Sequence, residues 1–168
     1  MEYVVNEWLL DYFKSNDETE RKKLFKFLAY FSSNDDLILV RIPSPFSKKL
    51  DDYANVLQND HRKYQYLKWF INTIFRNSDK CKIFYEWEYA TPSLDENLNS
   101  KLNQGNFGSD RYLFETAMFI TKNEKIIITT DAKLVEHVKE ISEFKLILLD
   151  DFLKKYCNNI KLTHLDSF

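Results

Sequence analysis

Gly108-Ser109-Asp110-Arg111-Tyr112-Leu113-Phe114-Glu115-Thr116-Ala117, followed by Lys125-Ile126-Ile127-Ile128-Thr129-Thr130-Asp131, has the grammar of an α/β sheet. An acidic residue opens a helix, a nearly all-isoleucine run follows, and a second acidic residue stands where that run ends. A short continuous apolar run of this kind is expected of a central parallel strand. In an open α/β sheet, the C-terminal edge of such a strand is where ligands and metals sit.

On either side of this stretch, apolar strands alternate with helical patterns. Tyr3-Val4-Val5 reads as a strand leading into a helix from Asn6 to Phe13, and Ser15 with Glu18 reads as a capping box for a second helix with Leu24, Phe27, Leu28 and Phe31 on its buried face. Leu37 to Ile42 is a strand ended by Pro43 and Pro45, which start a helix running to about Leu57. His61 to Arg76 reads as an aromatic-rich helix. Lys80 to Tyr89 reads as strand, with Ile83, Tyr85 and Trp87 on one face and Phe84 on the other. Ala90 to Gly108, with Pro92, several Asn and both glycines, reads as a loop with at most a helical turn near Leu98, a candidate flap. A helix from Ser109 to about Thr121, the Lys125–Thr129 strand, a helix from Asp131 to about Ile141, a strand from Phe144 to Leu149 and a helix from Asp150 to Tyr156 complete the series. The order predicts an α/β three-layer sandwich with a mainly parallel central sheet of about four or five strands, in a single domain over residues 1–168.

Composition narrows the function classes. Lys and Arg number 24 against 26 Asp and Glu, which argues against a binder that holds nucleic acid mainly by a basic surface. Two glycines in the whole chain leave no P-loop and no dinucleotide fingerprint. Cys81 and Cys157 form no CxxC, and His61, His137 and His164 are scattered, so no zinc site is legible; the cysteines read as small apolar residues of a reduced, cytoplasmic protein, with a disulfide between them left open. The acidic N-terminus lacks the features of a signal peptide, and no apolar run approaches a membrane span.

Each acidic candidate has a plain reading beside its functional one. Asp110 fits a first-turn acid behind an N-cap Ser109, Asp131 fits an N-cap, and Asn6 with Glu7 fits an N-cap and a first-turn acid. Ala117 lies two turns beyond Asp110 on one helical face, whereas Glu115, about 140° away, is expected to be solvated.

Taken together, the acidic start of the Asp110–Ala117 helix, the Thr129-Thr130-Asp131 turn, the N-terminal strand with Asn6 and Glu7, and the closing strand before Asp150-Asp151-Phe152-Leu153 resemble a PIN domain, a metal-dependent nuclease family that includes toxin–antitoxin ribonucleases. The resemblance implies hydrolysis of RNA phosphodiesters with Mg²⁺ or Mn²⁺. It implies Glu7, Asp110 and Asp131 as catalytic acids and Asn6, Glu7, Asp110 and Asp131 as metal ligands, with Asp11 a weaker candidate. Lys49, Thr129, Thr130 and Arg111 would contact substrate, with Arg62, Lys63, Tyr64, Tyr66, Lys68 and Arg76 as further contributors, although that helix reads mainly as core aromatics with a solvated charged face. An antitoxin or other protein partner and a homodimer are admitted by the resemblance; no membrane partner is expected, since the apolar runs are too short to span one. Two positions depart from the family: Asn6 stands where it has its first Asp, and Lys49, with Asp51 and Asp52 close behind, where it has a Glu. These departures point to the alternative of a catalytically degenerate PIN-like module that binds protein or RNA. An unrelated α/β domain whose Asp residues only cap helices is the third reading.

Overall fold

A computed structural model describes residues 1–161. His164 lies outside them. Five strands, β1 (Glu2–Val5), β2 (Leu37–Ile42), β3 (Cys81–Tyr85), β4 (Lys125–Thr129) and β5 (Phe144–Leu148), form one all-parallel sheet in the order β3-β2-β1-β4-β5. Helices flank it in three layers, and β1 is the centre: Tyr3 pairs in register with Ile38 of β2 and Ile126 of β4. Val4, Val5 and Ile126 to Ile128 are almost wholly buried, as a strand covered on both faces requires.

The helices are α1 (Trp8–Lys14), α2 (Glu18–Ser33), α3 (Pro45–Val56), α4 (His61–Phe70), α5 (Glu96–Gln104), α6 (Arg111–Ala117), α7 (Ala132–Val138) and α8 (Leu149–Tyr156). Tyr3 meets Phe31 of α2 and Phe152 of α8 edge-on, at 5.7 and 5.6 Å, and Phe114 of α6 meets Phe144 at 5.2 Å. Such aromatic pairs add to the burial of their large surfaces. The buried apolar residues form one contiguous core.

Several local expectations are corrected. The cap of α2 is Asp17, which accepts from the Glu20 N–H at 3.0 Å, while the Ser15 hydroxyl bonds the Glu20 carboxylate; no Ser15–Glu18 box forms. A reciprocal box opens α3 instead, between Ser44 and Ser47 with Pro45 in the first turn. The helix from His61 passes into a π-helical turn over Ile71–Phe75, where the Arg76 N–H reaches back to the Ile71 carbonyl. Strand β3 stops at Tyr85, because the N–H groups of Glu88 and Tyr89 both turn back to the Tyr85 carbonyl. Trp87 therefore leaves the sheet, stacks on Tyr85 at 4.5 Å and stands 70 % exposed.

The expected flap contains a full helix. In α5, Leu98 and Leu102 are one turn apart and completely buried, so the segment is docked on the core. Asp95 caps it, and Gly105 closes it where a Cβ would fall 2.5 Å from the Phe107 ring. The helix expected from Ser109 is shorter: a 3₁₀ turn over Gly108–Asp110 precedes α6, which ends at Ala117. Cys81 and Cys157 are free and buried, and burial pushes their thiols up to about 12 and about 11, so both are inert at neutral pH. Among the described residues no helix is long and apolar enough to cross a membrane.

An acidic rim at the carboxyl ends of β1 and β4

In this strand order β1 is followed by β2 on one side and flanked by β4 on the other, so the chain's direction switches beside β1. Crevices at such switch points are the usual ligand sites of open α/β sheets. Asn6 and Glu7 leave β1 there, Thr129, Thr130 and Asp131 leave β4, and Asp110 enters α6, which packs on β1, β2 and β4.

The two strand exits are tied together by Asn6. Its amide nitrogen donates to the Thr129 hydroxyl at 3.2 Å, its amide oxygen accepts from the Glu7 N–H at 2.6 Å, and its backbone N–H bonds the Ile128 carbonyl at 3.1 Å. The Tyr112 hydroxyl lies 3.5 Å from the same amide oxygen. Both ends of the Asn6 side chain are thus engaged in holding the rim. Thr129 is fully buried, and its hydroxyl also accepts from the Asp131 N–H at 3.1 Å, so it positions the turn, while Thr130 is exposed.

Three acidic residues occupy the N-cap positions of α1, α6 and α7, and they use them differently. Asp131 caps α7 through one oxygen, Oδ1, which accepts from the N–H groups of Lys133 and Leu134 at 2.9 and 3.1 Å. Oδ2 makes no hydrogen bond among the described residues. Glu7 and Asp110 sit at the cap positions of α1 and α6 with no side-chain cap bond at all. The plain reading of Asp110 as a first-turn acid behind Ser109 is therefore replaced by an uncommitted carboxylate at the cap itself.

Electrostatics mark the same residues. Burial, then the neighbouring carboxylates of Asp131 and Glu7, raise the Asp110 carboxyl to about 6. The Tyr112 hydroxyl is pushed up by burial, by the charges of Glu7 and Asp110 and by its hydrogen bond to Glu7. Opposite stands Lys49 of α3, its ammonium 3.4 Å from Glu7 and 3.1 Å from Asp11, whose carboxylate also accepts from the Tyr53 hydroxyl at 2.6 Å. Partial burial disfavours the Lys49 charge, but the hydrogen bond to Asp11 and the charges of Glu7 and Asp11 outweigh it and raise its pKa. Asp51 and Asp52 are exposed.

No group of three or more His, Cys, Asp or Glu side chains is assembled to hold a metal ion among the described residues. Arg111 spends its guanidinium on Asn99 and, at 3.0 Å, Asn103, fastening α6 to α5. Lys63 bonds the Lys14 carbonyl and Asn16 at 2.8 and 2.6 Å, and Tyr66 is buried against Phe25; Arg62, Lys68 and Arg76 are exposed. Glu115, expected in solvent, forms a 2.9 Å ion pair with Arg41 of β2, the two side chains 17 and 8 % exposed. Sequence reasoning missed this pair and Tyr112; the available signal was a lone Arg inside the apolar run of β2 and a Tyr two residues after Asp110. No protein-family model, no curated protein and no solved structure matches the chain.

Proposed function

We propose that this chain is a PIN-like, divalent-metal-dependent ribonuclease whose site is the acidic rim between β1 and β4. The observation that carries the reading is Asp110: a half-buried carboxylate, unpaired by any hydrogen bond or cation among the described residues, which burial and then the charges of Asp131 and Glu7 raise to about 6. A carboxylate held in that state is stabilised by a cation, and Oδ2 of Asp131 is open to share it. Mg²⁺ commonly takes one or two carboxylates and completes its shell with water and substrate phosphate. The residues present fit an ion that arrives with its substrate better than one caged by protein alone.

A bound Mg²⁺ or Mn²⁺ supplies positive charge to the phosphate and lowers the pKa of the attacking water. Asp110 and Asp131 would hold the ion from two sides of the crevice. Glu7, oriented by Tyr112, would take the water's proton, and Lys49 would offer its ammonium to a phosphate oxygen by exchange from Asp11. The test is cleavage of single-stranded RNA by the full chain with Mn²⁺ and with EDTA. Asp110→Asn and Asp131→Asn are expected to abolish the metal-dependent activity, and equal cleavage by either variant, or cleavage indifferent to EDTA, overturns the proposal.

A second reading is favoured by Lys49. Its ammonium already offsets one of the two negative charges of Glu7 and Asp11, as an internal cation would. In that reading the rim is a binding surface for RNA or protein without catalysis, and calorimetry separates the two: binding of RNA with no heat from Mg²⁺ or Mn²⁺ selects it.

A further inference from the structure

Beside the acidic rim, on the side of β5, a pocket of about 320 Å³ opens next to the Thr130 turn. Its walls are Tyr12 of α1, Ala132 of α7, Leu148 at the end of β5 and Leu149 at the start of α8; its polar edge is Thr130, Lys23 and Asp150. Thr130 directly precedes Asp131, so a group seated in the pocket is one residue of backbone away from the carboxylates. The Tyr12 ring is held by an edge-on contact with Trp8 at 5.3 Å. Lys23 and Asp150 are paired at 2.7 Å, which sets an ammonium and a carboxylate side by side at the mouth.

We infer that this pocket is a nucleobase subsite with a preference for guanine, holding the base of a nucleotide adjoining the scissile phosphate. The inference rests on the ribonuclease reading for the identity of the phosphate neighbour, but its chemistry is the pocket's own. Unpaired RNA bases are recognised by insertion between apolar or aromatic walls and by hydrogen bonds along their polar edges. Tyr12, Leu148 and Leu149 supply the walls. The Watson–Crick edge of guanine carries one acceptor, O6, beside two donors, N1–H and N2–H₂. An ammonium beside a two-oxygen carboxylate matches that order: Lys23 donates to O6 and Asp150 accepts from both nitrogens. Cytosine and adenine offer Asp150 a single donor group, and uracil a single N–H. A bidentate match of this kind discriminates by roughly tenfold or more. The pairing of Lys23 with Asp150 sets both groups in place before a base arrives.

The test is titration of the full-length chain with GMP, AMP, CMP and UMP in EDTA, by calorimetry or by NMR shifts. GMP is expected to bind roughly tenfold tighter than the others. Ala132→Trp, at an exposed position of α7, fills the pocket and is expected to abolish GMP binding. Asp150→Asn is expected to level the four affinities. Asp150 is 62 % exposed, so this variant keeps the fold, and its unfolding curve verifies that. Equal affinity for the four nucleotides, or GMP binding that survives Ala132→Trp, overturns the inference. Mononucleotides have no phosphodiester to cleave and EDTA removes the metal, so the two proposals fail separately. Loss of base preference with metal-dependent cleavage intact sinks only the pocket; GMP binding without any metal-dependent cleavage sinks only the ribonuclease reading.

Discussion

Asp110→Asn should make the metal-free protein more stable at neutral pH while removing its function. The Asp110 carboxyl rises from its ordinary 3.8 to about 6 in the fold, because burial and the charges of Asp131 and Glu7 disfavour the ionised form. A group whose folded pKa is raised binds its proton more tightly in the native state. Its ionisation therefore costs stability above pH 6, and the cost is relieved as the pH falls from about 6 to about 4. Unscreened, the rise corresponds to about 3 kcal/mol; because the carboxyl is only half-buried and solvent screens it, ~1–2 kcal/mol is the appropriate figure. For a chain of 168 residues that moves the melting temperature up by about 2–8 °C. The assay is thermal or urea unfolding of wild type and variant in EDTA at pH 7.5 and at pH 4. The stabilisation should be present at the higher pH and absent at the lower one, and saturating Mn²⁺ should stabilise only the wild type. A variant no more stable than wild type at pH 7.5, or a gain that persists unchanged at pH 4, refutes the account of an unpaired, repelled carboxylate.

Lys49→Gln removes the ammonium from Glu7 and Asp11; at its partial exposure the loss should be about 1 kcal/mol, larger at low salt, with Mn²⁺ binding strengthened because the negative charge of Glu7 beside the Asp110–Asp131 site is no longer offset, measured by calorimetry. Arg41→Met leaves Glu115 largely buried without its cationic partner and should cost ~3–5 kcal/mol in urea unfolding, most of which the double variant Arg41→Met/Glu115→Leu should recover. Leu98→Ala should cost ~2–5 kcal/mol and raise amide exchange across α5, since Leu98 is wholly buried and is one of the two side chains that anchor the helix; a change confined to the surface would leave exchange untouched.

The sheet was legible in the sequence because its strands carry their own signal. Ile126 to Ile128 and Ile38 to Val40 are continuous apolar runs, and a strand covered on both faces needs nothing else. Helix α5 was not, for the opposite reason: Asn97, Asn99 and Asn103 are poor helix formers, and the segment folds because Leu98 and Leu102, four residues apart, meet the core. The positions of the rim acids were readable from the strand–turn–helix grammar, but how they are used was not. Whether an acid at a helix start spends its oxygens on the backbone depends on the local turn. Asp131 does, whereas the 3₁₀ turn at Gly108–Asp110 leaves Asp110 without a cap bond. The partner of Lys49 lies 38 positions away in α1, and that of Glu115 74 positions away in β2. Pairings over such separations are set by the packing of helices on the sheet, which periodicity does not encode.

Charge is unevenly balanced along the rim. Glu7, Asp11, Asp110 and Asp131 bring four carboxylates, and Lys49 brings one ammonium, which reaches only Glu7 and Asp11. The side of the crevice formed by α1 and α3 is thus partly compensated from within, and among the described residues the side formed by α6 and the β4 turn is not. Asn6 sits between the two with its amide committed to Thr129 and the Glu7 N–H, so it fixes the distance between strand exits without adding charge. A protein with no use for a cation at this edge would do better to pair Asp110, or to cap α6 with it, since the unpaired carboxylate costs stability at neutral pH. That the repulsion persists beside an open oxygen of Asp131, when a lysine relieves the neighbouring pair, supports the proposal of a site whose missing positive charge is supplied from solution.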